Sequence, residues 1–573
     1  MKKLFLYLSF LCLIVTNGYA ELAETYDADA PGWASNLTLG DPLDNGTTAR
    51  VYDSAIDSQG VVYTVYTTDT GGGDELLYIN RLKNNLVETW DEDNFEWTTD
   101  FALGDPIDAG NGGDVISASL AIDSTNRVYI VYIQSDGLVN DLLITRYDGT
   151  VMASPTSPIE DLPGDVLRAS IAVDKDDNVY TSFIQNDGLI DRLYLVRFNN
   201  TDNSMEIWDS TNGPAGDWTT TLADGTAIDD GAEDTANPAI AINSINDVYI
   251  LYQQEVVGVE SIFVVRYVQA NNEIQNWVGA LDTATGEDAT AARIVIDKDD
   301  VVYGAYRQVV GGDRRLFLIR FEPVADEIRV FVDSTGLWST DLTDGEPIDD
   351  DNGGVSQVQL LMNDKDLYLA YRAGGEIWLN QYDFSEDDVL VWDDDTNKFL
   401  NLDPGNSVAD KVSRDLDIVS ARNPRINVDG NGNVYITYIG VIGLGEDSLY
   451  MSRVTGSDLQ GWDSVNDEWS TNTDDSQLIN TGEKAIKNLF TIMSSNGSVY
   501  FSYVNENVGG DDRVYLGVQG RGRVVATAGA PGRRKKSGGC IVTNSSYNYF
   551  LAFVMFAFGF SLLLLRRKES MKV

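Results

Sequence analysis

Ile122-Asp123-Ser124-Thr125-Asn126-Arg127-Val128-Tyr129-Ile130-Val131-Tyr132 reads as strand, tight turn, strand. Asp, Ser, Thr and Asn cap their own backbone in turns and tolerate the left-handed conformation. Val-Tyr-x-x-Tyr has the β-branched and aromatic content of a strand. Close relatives of the stretch recur along the chain. The tyrosine that opens the second strand returns as Tyr63, Tyr129, Tyr180, Tyr249, Tyr303, Tyr368, Tyr435 and Tyr500, at spacings of 66, 51, 69, 54, 65, 67 and 65 residues. Such a period describes one unit repeated around a ring or along a row.

Each copy keeps one internal order. A first strand such as Ser170-Ile171-Ala172-Val173-Asp174 leads into the turn and the Val-Tyr strand. A Gly/Asp-rich loop follows, as in Gly71-Gly72-Gly73-Asp74, and then a third strand, as in Leu193-Tyr194-Leu195-Val196-Arg197. The longer copies add a fourth segment with paired aromatics: Trp90 and Trp97, Trp208 and Trp218, Phe331 and Trp338, Trp392 and Phe399, Trp462 and Trp469. No stretch between residues 21 and 519 sustains a 3.6-residue apolar period.

These patterns predict an all-β fold: a single closed β-propeller of eight four-stranded blades. Glu24 to Trp33 resembles the fourth segment Glu88 to Trp97, and the eighth copy stops after its third strand near Gln519. The N-terminal strand is therefore expected to complete the last blade and leave no open edge. Seven blades with an odd unit, or two smaller propellers, are the alternatives. The absence of a linker-like composition shift within 21–519 favours one ring.

The two ends carry different signals. Lys2 and Lys3, an apolar run from Leu4 to Val15 and a closing Ala20 predict a signal peptide over 1–20, cleaved after Ala20. Residues 520–546 read as a Gly-rich, basic stalk. Residues 547–565 form an apolar run long enough for a transmembrane helix, with Arg566-Arg567-Lys568 opening a cytoplasmic tail over 566–573. The propeller is thus expected outside the cytoplasm, tethered to a membrane or cell surface.

The chain has 90 acidic and 40 basic residues, a formal net charge of −50. That charge disfavours nucleic acid as a partner. There is no histidine, and the two cysteines are Cys12 and Cys540. Imidazole bases, Ser-His-Asp triads, four-cysteine zinc sites and ectodomain disulfides are thereby excluded.

The C-terminal block Ser537-Gly538-Gly539-Cys540, apolar run, Arg566-Arg567-Lys568 resembles the tripartite sorting signals of bacterial surface proteins. The resemblance covers about the last forty residues. It implies processing by a sorting protease, with Gly538, Gly539 and Cys540 marking the cleavage or attachment site. An ordinary single-pass anchor is the alternative. The repeats, with Asp-x-x-Gly-Asn-Val-Tyr as their pattern, resemble bacterial propeller repeats in a general way. That resemblance implies a fold and no activity.

Three sets of residues are candidates for chemistry. The turn residues Asp57, Asp123, Asp174, Asn243, Asp297 and Asp429 read as turn stabilisers, with calcium loops the alternative. The third-strand arginines Arg81, Arg146, Arg197, Arg266, Arg320 and Arg453 read as structural partners of turn carboxylates, with a polyanion site the alternative. The inter-blade loops hold Asp105, Asp108, Asp229 and Asp349, which are candidate calcium ligands or contacts for a basic partner; otherwise they form a solvated rim. No other cofactor is expected. The composition fits a non-catalytic binding module for a glycan, a protein or a cation. The alternative is a carbohydrate-active enzyme, a glycosidase or lyase using acidic residues of the propeller face. A site in a repeat protein should lie where the copies disagree, as at Gln381, in the 401–423 insertion and along the acidic rim.

Overall fold

The computed structural model describes residues 21–521, apart from short segments of which 35–41 and 402–410 are the longest. The signal peptide with Ala20, the stalk from residue 522 onward with Gly538, Gly539 and Cys540, the apolar run 547–565 and the basic tail lie outside the described residues. Among the described residues no helix is long and apolar enough to cross a membrane.

Eight antiparallel sheets follow one another along the chain. Blade 1 opens with Ala49–Ile56, Val62–Thr68 and Leu76–Lys83; blade 8 opens with Ile486–Met493, Val499–Glu506 and Asp512–Arg521. The first strands of successive blades pack side by side, and the first strand of blade 8 packs on that of blade 1. Ser54 and Ser502 join the two ends of this circuit, hydroxyl to hydroxyl at 2.9 Å. Neighbouring blades meet through side chains rather than through a shared ladder.

The second strands explain the Val-Tyr pattern. All seven residues of Val62–Thr68 are buried, because this strand is covered on both faces by adjacent blades. The core lies in these seams: Val65, Leu77 and Ile79 of blade 1 pack with Leu120, Val128 and Ile130 of blade 2.

The predicted N-terminal closure is present. Glu21–Asp27 runs antiparallel to Asp512–Arg521, with Glu21 opposite Arg521 and Thr25 opposite Gly517. Thr25 also donates its hydroxyl to the Leu516 carbonyl at 3.3 Å. Gly32–Ala34 then folds back on the N-terminal strand, Tyr26 opposite Trp33.

The blades are not uniformly four-stranded. Among the described residues five sheets have five strands, two have four and one has six. The second aromatic of each pair makes the difference. It sits on a short fifth strand directly across from the first: Trp97 opposite Trp90, Trp218 opposite Trp208, Trp338 opposite Phe331. The rings meet edge to face at 5.5, 5.5 and 5.4 Å, a geometry that adds about 0.5–1.5 kcal/mol per pair beyond burial. Tyr147, Tyr267 and Tyr382 of the following blades close onto these pairs. The second and fourth blades, where the repeat is shortest, lack the indole pair and have four strands.

Candidate functional site

The recurring polar residues belong to the scaffold. In the opening turn, Asp123 Oδ1 accepts the amides of Thr125 and Arg127 at 2.9 Å each. Asp57, Asp174, Asn243, Asp297 and Asp429 repeat this clasp. Where the left-handed residue of the turn is Asn or Asp, its side chain also reaches back one blade. Asn126 Oδ1 takes the Ser58 amide at 3.0 Å, and Asp177 takes the Ser124 amide and hydroxyl at 2.9 Å each. Asp300 does the same for Ser244.

The loop aspartates are pins between blades. The Ile107 amide donates to the Leu77 carbonyl while Asp108 accepts the Leu77 amide at 2.9 Å. Ile228 and Asp229 grip Leu193 in the same way, and Ile348 and Asp349 grip Leu316. Arg192 and Arg315 then pair with Asp229 and Asp349 at 2.9 and 2.8 Å. Asp105 instead accepts the Glu92 amide at 2.8 Å. These four carboxylates belong to different blade boundaries, Asp105 and Asp108 excepted. Among the described residues no three His, Cys, Asp or Glu side chains gather as a metal site would. Burial pushes Asp229 and Asp349 up despite their arginine partners.

The third-strand arginines are also structural, though their usual partner is not the turn. Arg81 and Arg197 pair with Glu88 and Glu206 of the fourth strand at 2.7 and 2.6 Å. They stack over Trp97 and Trp218 at 4.3 and 4.2 Å. Arg453 bonds Gln460 and stacks over Trp469. Arg146 bonds Asn203 and lies over Phe198. Arg320 pairs with Asp387, and Arg266 alone of the set pairs with a turn-end carboxylate, Asp247. Gln381, where the arginine is replaced, hydrogen-bonds Asp366. Within the 401–423 insertion, Ser413 accepts the Ile377 amide at 3.0 Å, in the place of a pinning carboxylate.

The copies disagree most on the innermost strands. The residue four positions before the turn clasp is Asp53, Ser119, Ser170, Ala239, Arg293, Gln359, Arg425 and Phe490 in blades 1 to 8. Each of the eight first strands except those of blades 2 and 3 carries one extra residue, a register shift of one, just before this position; in blades 2 and 3 the shift lies nearer the strand start. A bulge turns residues three apart onto one face. Arg50 and Lys487, three residues earlier, accordingly line the same cavity as Arg425 and Phe490. The first strands hold six basic residues, Arg50, Arg168, Arg293, Arg422, Arg425 and Lys487, against one acidic residue, Asp53. The rest of the protein is strongly acidic, so the axis reverses the overall charge.

A cavity of about 630 Å³ opens over blades 7, 8 and 1, lined among others by Arg50, Tyr52, Asn423, Arg425, Lys487 and Phe490. Arg50 and Lys487 have carboxylates, Glu75 at 3.3 Å and Asp512 at 2.8 Å. Arg425 has none within 4 Å among the described residues. Its Nε donates to the Leu489 carbonyl at 2.6 Å, its Nη1 to Gln359 Oε1 at 3.3 Å, and its plane stacks over Phe490 at 4.4 Å. Burial, and then the charge of Arg293, pull Arg425 down to about 10. Arg293 is wetted by the channel yet surrounded by protein, which lowers it too. Among the described residues its guanidinium donates to the carbonyl of its own neighbour, Ala292, at 3.1 Å. Asp53 accepts the amides of Ser54 and Leu120 and the Ser119 hydroxyl, and burial pushes it up. Cations so placed, with backbone and amide partners and no carboxylate in ion-pair range among the described residues, can take up an oxyanion.

Sequence reasoning missed this site because it followed positions that recur. The available signal was the excess of basic over acidic residues on the first strands of an otherwise acidic chain.

No family model matches the chain, and no curated protein matches it. Among solved structures the chain is similar in part to the following. An ulvan lyase bound to -[GlcA(1-4)Rha3S]- is 10% identical over 72% of this chain and 94% of its own, with a TM-score of 0.40. A protein of unknown function from Dyadobacter fermentans is 9% identical over 71% and 94%, with a TM-score of 0.36. A Hadza microbial sialidase is 9% identical over 60% and 68%, with a TM-score of 0.34.

Proposed function

We propose that the protein is an exported, surface-tethered propeller that binds an anionic saccharide at the mouth of its central channel and releases it unchanged. The observation that carries this reading is Arg425, a partly buried cation without a carboxylate partner, at the edge of a 630 Å³ cavity. The cavity has the volume of a small-ligand site. Its lining pairs cations and an amide with two aromatic rings, which suits a sugar that carries negative charge. The end segments supply the export and tethering half of the proposal.

Turnover by a glycosidase would need two carboxylates set apart across the bond. The one carboxylate lining the cavity is Asp512, and both its oxygens accept from Lys487 Nζ, at 2.9 and 2.8 Å. Nearby Asp53 is occupied by three donors. This supports binding over hydrolysis.

Calorimetric titration of the full-length chain with tri-galacturonate and with maltotriose tests the reading, followed by chromatography of the recovered sugars. Binding of the acidic trisaccharide alone, recovered intact, is expected. No heat with millimolar tri-galacturonate overturns the ligand class, and shortened or unsaturated products overturn the non-catalytic role.

A further inference from the structure

We infer that the saccharide presents a carboxylate end-on to the channel, where Arg293 and Arg425 hold it with the amide of Gln359 as a third donor. This rests on the saccharide-binding reading above. The three residues occupy one repeat position on consecutive blades 5, 6 and 7, so they stand at one level as an arc. Gln359 Oε1 already accepts from Arg425, which fixes the amide and leaves Nε2 without a partner among the described residues. Neither guanidinium has a carboxylate within 4 Å among the described residues, and Arg425 feels the charge of Arg293 more strongly than the opposing charge of Asp53. An oxyanion between them replaces that repulsion with two charge-assisted contacts, and a planar carboxylate matches the guanidinium fork.

Across the ring from blades 5 to 7 stand blades 1 to 3, whose residues at this level are Asp53, Ser119 and Ser170, Asp53 being held by its own three donors. The arc therefore faces space and not a wall of large side chains. Depth then selects the ligand. The arc lies three residues along the strand from Arg50 and Lys487. At ~3.3 Å per residue, less the extra residue of the bulge, that is roughly 7 Å below the mouth. A polymer lying across the mouth keeps its backbone above the arc. A terminal or pendant uronate reaches it.

The full-length chain is titrated with galacturonic acid, galactose, galactose 6-sulfate and galacturonate oligomers of two to six units. Galacturonic acid is expected to bind and galactose not to bind. Affinity should level off by the trimer, because only one end enters the channel. Arg293→Gln and Arg425→Gln should each weaken galacturonic acid at least tenfold, and Gln359→Leu about threefold, with melting temperatures retained. Arg293→Lys should restore part of the loss. Lys298→Gln, in an exposed turn, should leave binding unchanged. Affinity that climbs steadily to the hexamer, tighter binding of the sulfate, or full affinity in folded Arg293→Gln overturns the end-on carboxylate and leaves the saccharide reading standing. Failure of every acidic sugar removes both.

Discussion

Arg293 and Arg425 hold the same repeat position two blades apart, each four residues before a turn clasp, and among the described residues neither meets a carboxylate. The contrast with Arg81 and Arg197 is instructive. Those arginines each have a glutamate and an indole. They recur because every long blade needs the same brace. The channel pair breaks the repeat: Arg425 ties blade 7 to Gln359, Leu489 and Phe490 of its neighbours, but neither arginine is neutralised by a carboxylate as Arg81 and Arg197 are.

Stability measurements can separate the two kinds of arginine. Arg293→Met removes a channel-facing charge that meets no carboxylate among the described residues and whose hydrogen bond is to its own neighbour's carbonyl. The melting temperature is expected to stay level or rise by about 1–2 °C. Arg197→Met, by contrast, leaves Glu206 without its partner and strips the face of Trp218, and should cost about 1–3 kcal/mol. A fall of more than about 3 °C for Arg293→Met would make that residue structural.

The blade pins give a second expectation. Asp349 is buried and takes the Leu316 amide at 2.6 Å and Arg315 Nε at 2.8 Å. Asp349→Ala leaves the Leu316 amide and the partly buried Arg315 without their acceptor, and should cost about 2–4 kcal/mol, read as a shift in the urea midpoint. Because amides and arginines already occupy these carboxylates, we expect EDTA or added calcium to leave the melting temperature within about 1 °C. A calcium-dependent rise would show that the loop aspartates hold a metal.

What could be read from residues alone divides along the same line. Blade number, the order of strands and the N-terminal closure all rest on features that recur, so the repeats display them. The clasp of Asp123 was visible for the same reason. The fifth strands escaped because both aromatics were read as one segment, although a turn between Trp90 and Trp97 sets them face to face. The arginines of the third strand were rightly given to the scaffold, but the partner is a fourth-strand glutamate that strand register alone brings opposite. The channel site escaped because Arg293, Gln359 and Arg425 come from three copies that share a position and not a residue. Only closing the ring puts them on one arc.

Acidity should stabilise this protein before it destabilises it. Burial raises Asp44, Asp53, Asp229, Asp282 and Asp349 above the ordinary 3.8. Between 3.8 and the folded values, the folded chain holds more protons than the unfolded chain, so stability falls as pH rises through that window. Relief of the −50 charge acts in the same direction. Amide bonds lower the exposed turn residues Asp69, Asp136 and Asp187, whose contribution is lost below 3.8. The melting temperature is expected to peak near pH 4–5 and to be lower at pH 7.5. A maximum at or above neutrality would mean that the buried carboxylates are better compensated than their surroundings indicate.

Closure by the N-terminal strand makes the strongest demand on a single side chain. Tyr26 is 1% exposed and packs with Leu43, Val87, Val514 and Leu516, which come from both ends of the chain. Its ring also meets Phe101 edge to face at 6.4 Å. Tyr26→Ala leaves a cavity in the one seam that the chain termini must close, and should cost about 3–5 kcal/mol. Without that strand, Asp512–Arg521 becomes an unpaired edge, so the variant should also aggregate on mild heating. Limited proteolysis distinguishes this from a general loss of packing: cleavage should begin in blade 8 and leave the middle blades protected. A Tyr26→Ala protein that melts within about 1 °C of the parent and stays monomeric would mean that the ring is held shut by the blade 8 to blade 1 contacts alone, Ser54 to Ser502 and Arg513 to Asp44.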